Sequence, residues 1–214
     1  MTHNIAPSSA GSAPLRPCRR VILIGTPLAA FFSHRATAEP TTAGHVEDVK
    51  GEVTAELGSQ RRVLVPRADV FNGDDVTTAE SSRAALLLGT DTSLRLGANA
   101  RVRLDRFIIN AGGILTLEAG PLLVDKGHGN PGNPLQVRGS FGLITVRGTQ
   151  IFVGPSQGRI GIFVIDGVVD VASGGQEFVL QRGEGTDISR PGVRPTLPAI
   201  WSEARIRAAL ASVG

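Results

Sequence analysis

Ser156 has the surroundings most like those of a nucleophile, because Gly154-Pro-Ser-Gln-Gly158 has the spacing of a nucleophile elbow. That chemistry needs a strand before the serine, a helix after it, and acid and histidine partners later in the chain. Here β-type alternation resumes directly after Gly158, and no histidine follows His128. The segment is expected to be a hairpin turn. Gly127-His-Gly-Asn-Pro-Gly132 has the glycine spacing of a dinucleotide loop, but prolines stand where the phosphate-binding helix should begin. It is expected to be a plain loop.

Metal and acid/base chemistry find as little support. His45 and His128 lack a nearby His/Asp/Glu ligand pattern, so no metal site is expected. Asn72-Gly-Asp-Asp75 lacks the alternating acids and terminal glutamate of a calcium loop and suits a tight turn. Glu47/Asp48 and Asp74/Asp75 are sequence neighbours, which point to opposite faces of a strand and make no acid/base pair. Neither an enzyme activity nor a cofactor is expected.

The elements that carry these residues are mostly strands. In 214 residues there are 27 glycines, 13 prolines and one cysteine, which excludes a coiled coil and a disulfide scaffold. Val46–Leu57 is β-rich with Gly51 as punctuation, and Arg62–Val65 follows. The pairs Leu86/Leu88, Leu94/Leu96 and Val102/Leu104 recur every eight residues, each followed by a turn-prone stretch. That recurrence suits half a solenoid coil or successive hairpin arms.

Leu115–Leu117 and Leu122–Val124 continue the strands up to the Gly/Pro/Asn loop Lys126–Pro134, which is expected to divide the β region into halves. Beyond it, in Ile160–Ile165, Ile160, Ile162 and Val164 face one way and Phe163 and Ile165 the other, so both faces should be covered. The fold expected is all-β, a solenoid or roll or a sandwich-like module. A Pro-rich connector, 191–198, leads to a C-terminal amphipathic helix over 199–213, with Pro198 in its first turn and Trp201 as its anchor.

The charge balance belongs to the N-terminus. Arg16, Arg19 and Arg20 precede the apolar run Val21–Phe32, and Ala36 and Ala38 supply an A-x-A cleavage signal. The run is too short to span a bilayer, which takes about 20 apolar residues. Residues 1–38 therefore read as an export signal, followed by a short linker over 39–43 and the β domain over 44–190. The adjacent arginines fit a twin-arginine route as well as an ordinary secretory one. Cutting after Ala38 takes four of the 22 basic residues and no acid, leaving 18 against 19 acidic and a net charge of −1. Without a basic excess or an aromatic-basic stripe, nucleic acid is not an expected partner. Loss of Cys18 leaves a cysteine-free chain, indifferent to an oxidising compartment.

Several motifs occur in one order: Val70-Phe-Asn-Gly-Asp-Asp-Val-Thr-Thr78, Ser82–Leu88, Thr92–Arg101, Phe141–Val153 with Val146-Arg-Gly-Thr149 at its centre, Asp166–Val171 and Leu180–Gly185. The series resembles the FecR domain across most of 44–190. The resemblance implies an all-β periplasmic module which, in the family's regulators, relays receptor occupancy to an anti-sigma segment inside the cell. This sequence shows no cytoplasmic helical domain or spanning helix, so sigma-factor control is not carried over. The signature residues Gly73, Asp74, Arg83, Arg147, Gly148, Thr149, Gly167 and Gly183 are expected to be structural. Gly73 and Gly148 suit a turn and a bulge. Arg147, if buried within its apolar strand, must find a carboxylate or carbonyl. Thr149 is expected to support the same corner by hydrogen bonding. The function implied is an exported, non-catalytic binding or signalling accessory whose partner is an envelope sensor or receptor. A structural or glycan-associated envelope protein is the alternative.

Overall fold

The computed structural model describes residues 40–109, 111–127 and 133–214. The export segment 1–38, Cys18 and His128 lie outside the described residues. The compact β unit runs Glu39–Gly214.

The chain builds two sheets by passing back and forth between them. It starts in the first sheet with β1 (Thr42–Lys50), crosses for β2 (Val53–Leu57) and β3 (Gln60–Val63), returns for β4 (Asp69–Phe71) and crosses again for β5 (Asp75–Thr78). The hairpin β6 (Arg83–Leu88) and β7 (Thr92–Leu96) is in the first sheet; β8 (Arg101–Ile108) and β9 (Gly112–Ala119) are in the second. Then β10 (Leu122–Lys126) returns, β11 (Leu135–Gly139) and β12 (Gly142–Val146) cross, and β13 (Gln150–Ser156) and β14 (Arg159–Asp166) return. Last come β15 (Val168–Ser173) and β16 (Gln176–Gln181) in the second sheet, and β17 (Glu184–Ile188) and β18 (Ala199–Ile200) in the first.

The first sheet has the order β18-β17-β14-β13-β10-β7-β6-β1-β4 and the second β16-β15-β12-β11-β9-β8-β5-β2-β3. Beyond the first few strands, each newcomer joins the growing end. Among the described residues all strand pairings are antiparallel except β9 with β11. The result is a two-sheet sandwich wound like a roll.

The eight-residue recurrence is explained by this route. Leu86, Leu88, Leu94 and Leu96 sit on the arms of one hairpin, and Val102 and Leu104 lie in the opposite sheet. All six are fully buried in one core fed by both sheets. The loop after β10 does not divide the β region into halves. Strand β10 pairs with both β7 and β13, and β9 pairs with β11 across that loop. Hydrogen-bonded ladders outweigh the composition break.

Coverage of both faces holds where the sequence indicates it. Ile162 and Val164 enter the central core with Ile160 packed beside them, while Phe163 joins a second cluster with Leu123, Phe152, Trp201, Ala209 and Val213. Ile165 packs against that outer cluster.

Two boundaries differ from the expected ones. Strand β1 begins at Thr42 with Ala43 fully buried, so residues 42–43 are sheet and not linker. Helix α1 spans Glu203–Ala211, not 199–213, because Ala199 and Ile200 pair with Gly185 and Glu184 as β18. Pro198 therefore precedes a strand. Ser202 caps the helix by accepting from Arg205 N–H. Among the described residues no helix is long and apolar enough to cross a membrane.

Candidate functional site

The turn between β4 and β5 carries the first signature residues. Gly73 has φ +91° and donates its N–H to Leu104 O at 2.7 Å, which ties the turn to β8. A positive φ is costly for any residue with a Cβ, so glycine belongs there. Asn72 clamps β8 as well: its Oδ1 accepts from Phe107 N–H at 2.5 Å and its Nδ2 donates to Phe107 O at 3.0 Å. Asp74 is fully buried. Arg62 Nη2 lies 2.6 Å from both its oxygens, and Phe71 N–H donates to Oδ2 at 2.7 Å. Arg62 also stacks 4.7 Å from the Phe71 ring centre. Both oxygens of this carboxylate are engaged within the turn.

Asp75 turns away from Asp74, toward the outer face of the second sheet. It accepts from Arg103 Nε and Nη2 at 2.9 and 2.7 Å, with Arg101 at 3.6 Å. The Arg103 hydrogen bond is the largest influence on the Asp75 carboxyl; it outweighs the opposing pull of burial, and the charges of Arg103 and Arg101 add to it. The carboxyl is therefore held below its ordinary value of 3.8. A lowered folded-state value means the stabilisation is present above about pH 4 and is lost as pH falls through that lowered value. Asp75→Asn is accordingly expected to reduce the loss of stability on acidification, measured as urea midpoints at roughly pH 7, 4 and 3.

The second group of signature residues gathers at one corner, where successive crossovers between the sheets stack. Arg147 lies in the bend after β12, past the strand's end, and its side chain is 50% exposed. It is not buried in an apolar strand, and it reaches the carboxylate of Asp170 on neighbouring β15. Gly148 has φ +67°, next to the register shift between Gln150 and Ile151. Thr149 is buried, and among the described residues its hydroxyl has no hydrogen-bond partner, so any hydrogen-bonding support at the corner comes from its backbone. The corner contact it makes is apolar: a Cβ on Gly167 would collide with Thr149 Cγ2. Its backbone carbonyl accepts from Lys126 N–H. Gly183 adds the next crossover, donating to Val164 O at 2.9 Å.

Arg83 belongs to neither group. It donates to Ala211 O at 3.4 Å, joining β6 to the end of α1, beside a surface recess of about 370 Å³ also lined by Lys50 and Arg95. The signature residues thus occupy three separate places and form no single pocket.

Trp201 sits just before α1, in a seat made by absent side chains. A Cβ on Gly161 would lie 2.7 Å from Trp201 Cη2, and one on Gly185 would strike Nε1. The indole stacks on Phe163 with ring centres 5.0 Å apart. Arg205 closes the other side, its guanidinium carbon 3.5 Å from the ring. That guanidinium is paired with both oxygens of Asp187, and its Nε donates to Ser156 Oγ at 3.0 Å. Ser156, the residue most like a nucleophile in sequence, ends β13 in a hairpin whose turn is Gln157–Gly158. Sequence reasoning missed Arg62, Asn72, Arg205 and Asp187. Gly161 and Gly185 carried a usable signal, since an isolated glycine in a strand marks close approach of another group.

Among the described residues no group of three histidine, cysteine, aspartate or glutamate side chains could hold a metal ion. His45 is exposed on β1.

The family model described as FecR protein matches residues 74–170, from the buried Asp74 to the carboxylate that pairs with Arg147. This segment is a FecR domain. The two-sheet fold extends beyond the matched FecR segment on both sides, from β1 to β18. Two crystal structures, each described as "a putative anti-sigma factor from Parabacteroides distasonis", are similar in fold, with TM-score 0.54 and 17% identity. The similarity covers 64% of this chain and 64% or 63% of theirs. No curated protein matches the chain.

Proposed function

We propose that this protein is an exported, non-catalytic accessory of the bacterial envelope that binds a membrane sensor or receptor and takes part in signalling. The observation that carries the reading is the FecR domain at 74–170. Its geometry is consistent with a binding role: Asp74, Asp75, Asp170 and Asp187 are held by arginines that link strands or fasten the helix. Side chains committed in this way build a scaffold. What they leave for a partner is the outer face of the second sheet, where Thr116 and Arg138 lie side by side on adjacent strands next to the Arg103–Asp75 pair.

The test is crosslinking in living cells with C-terminally tagged full-length protein, followed by mass spectrometry of what the tag recovers. One dominant membrane sensor or receptor, together with a chain cut near Ala38, is the expected result. Cosedimentation with purified wall material and no specific protein partner would replace this reading with a glycan-associated one.

A further inference from the structure

Among the described residues the two sheets end in four edge strands, β18, β4, β16 and β3, and these are unequally protected. Strand β3 carries Arg61 and Arg62, β4 has three residues, and β18 has two and follows Pro198. Charge, shortness and proline are the usual means by which proteins keep edges from pairing. Strand β16 has none of them. It runs six residues, Gln-Glu-Phe-Val-Leu-Gln, with one charge, at Glu177. Val179 on it is 56% exposed and Val168 on β15 is 50% exposed.

The backbone of β16 is aimed outward at alternate residues. The β15–β16 hairpin closes on Ser173 and Gln176 around the two-residue turn Gly174–Gly175. In such a hairpin the closing pair exchanges hydrogen bonds, so 176, 178 and 180 bond to β15 while 177, 179 and 181 point away. Gln181 agrees, since its N–H donates to Glu184 Oε2 at 2.8 Å and not to β15. Glu177 and Val179 therefore present N–H and C=O groups on the open edge.

We propose that this edge is a self-association surface on which β16 pairs antiparallel with β16 of a second copy, about a two-fold axis at Val179. That register sets Val179 against Val179, Phe178 against Leu180, and Glu177 N–H against the Gln181 carbonyl, while Gln181 N–H stays with Glu184. No like charges meet, the half-buried Phe178 gains apolar cover, and the second sheets of two molecules join into one. The self-complementarity of 177–181 is what selects a second copy over a foreign strand, and a two-fold contact closes without leaving a new edge for polymers. The inference is independent of the envelope-partner reading, which needs no dimer.

Sedimentation of the purified full chain tests it. A concentration-dependent monomer–dimer equilibrium is expected, and Val179→Pro should weaken it by at least about tenfold. Proline there removes only an outward N–H, so the β15–β16 ladder survives; an unchanged far-UV circular dichroism spectrum and urea midpoint would verify folding. As a second variant, Val179→Cys in a Cys18→Ser background should form a disulfide-linked dimer, because residues facing each other in a hydrogen-bonded pair have Cα atoms about 5.5 Å apart. A chain that stays monomeric at all concentrations, including one that pairs only with a foreign strand, would overturn the proposal. So would a dimer in which Val179→Cys fails to crosslink.

Discussion

Arg62→Ala is expected to cost about 3–5 kcal/mol of folding stability, although the substituted side chain is partly exposed. Its partner decides the magnitude. Asp74 has no exposed surface, so truncating Arg62 leaves an ionised carboxylate in the interior with only one backbone N–H for support. The reverse substitution, Asp74→Ala, should cost less. Arg62 is 30% exposed and can turn to water, so the main losses are the Phe71 N–H acceptor and the tie between β3 and the β4–β5 turn. Urea denaturation of both single variants and the double variant measures this. The double variant should be clearly more stable than the sum of the two losses predicts, as expected for residues in direct contact. Equal costs for the two single variants would show that the buried charge is not the controlling factor.

Trp201→Ala should release the C-terminal segment and cost about 3–5 kcal/mol for that part of the fold. The indole fills a seat cleared by Gly161 and Gly185 and lies between Phe163 and Arg205. Removing it opens a cavity beneath α1 and exposes Phe152, which approaches the same ring edge-on with centres 6.5 Å apart. The central core, fed by both sheets, does not include Trp201, so the β sandwich should survive. The chain has one tryptophan, so its emission reports this seat alone. Arg205→Ala removes the stacked guanidinium and its pairing with Asp187, and should shift the emission to the red without unfolding the sheets. Faster amide exchange confined to 199–213 in Trp201→Ala would match the account. Global loss of protection would mean that the segment is integral to the sandwich.

How much of this was legible in the sequence depends on the physical signal each part leaves. Strands with apolar alternation, such as Ala84–Leu88 and Ser93–Leu96, could be read directly, and so could the two-faced run Ile160–Ile165. Strands β4, β5, β11 and β17 escaped because they are short or largely polar and are held by neighbours rather than by their own pattern. Period two is the same in both sheets, so alternation could not show which sheet a strand joins or that the chain crosses between them. The corner glycines were legible as backbone requirements. Arg147 was misplaced because Val146 looks like mid-strand, whereas the strand ends there and the side chain swings out to Asp170. The Arg62–Asp74 pair left no trace, since Arg62 lies on β3 and Asp74 in the β4–β5 turn, and no period carries across the turns between them.

The central claim is that the signature residues of the FecR domain build the frame and that partners bind elsewhere on its surface. Arg147 tests it most directly, because it is half-exposed and lies within the matched segment, at the centre of Phe141–Val153. Tagged wild type and Arg147→Ala, crosslinked side by side in living cells, should recover the same dominant envelope partner in equal amounts per folded molecule. The stability difference should stay within about 1 kcal/mol, as for other exposed ion pairs. Loss of that partner from an equally stable Arg147→Ala protein would make Arg147 a contact residue and contradict the account.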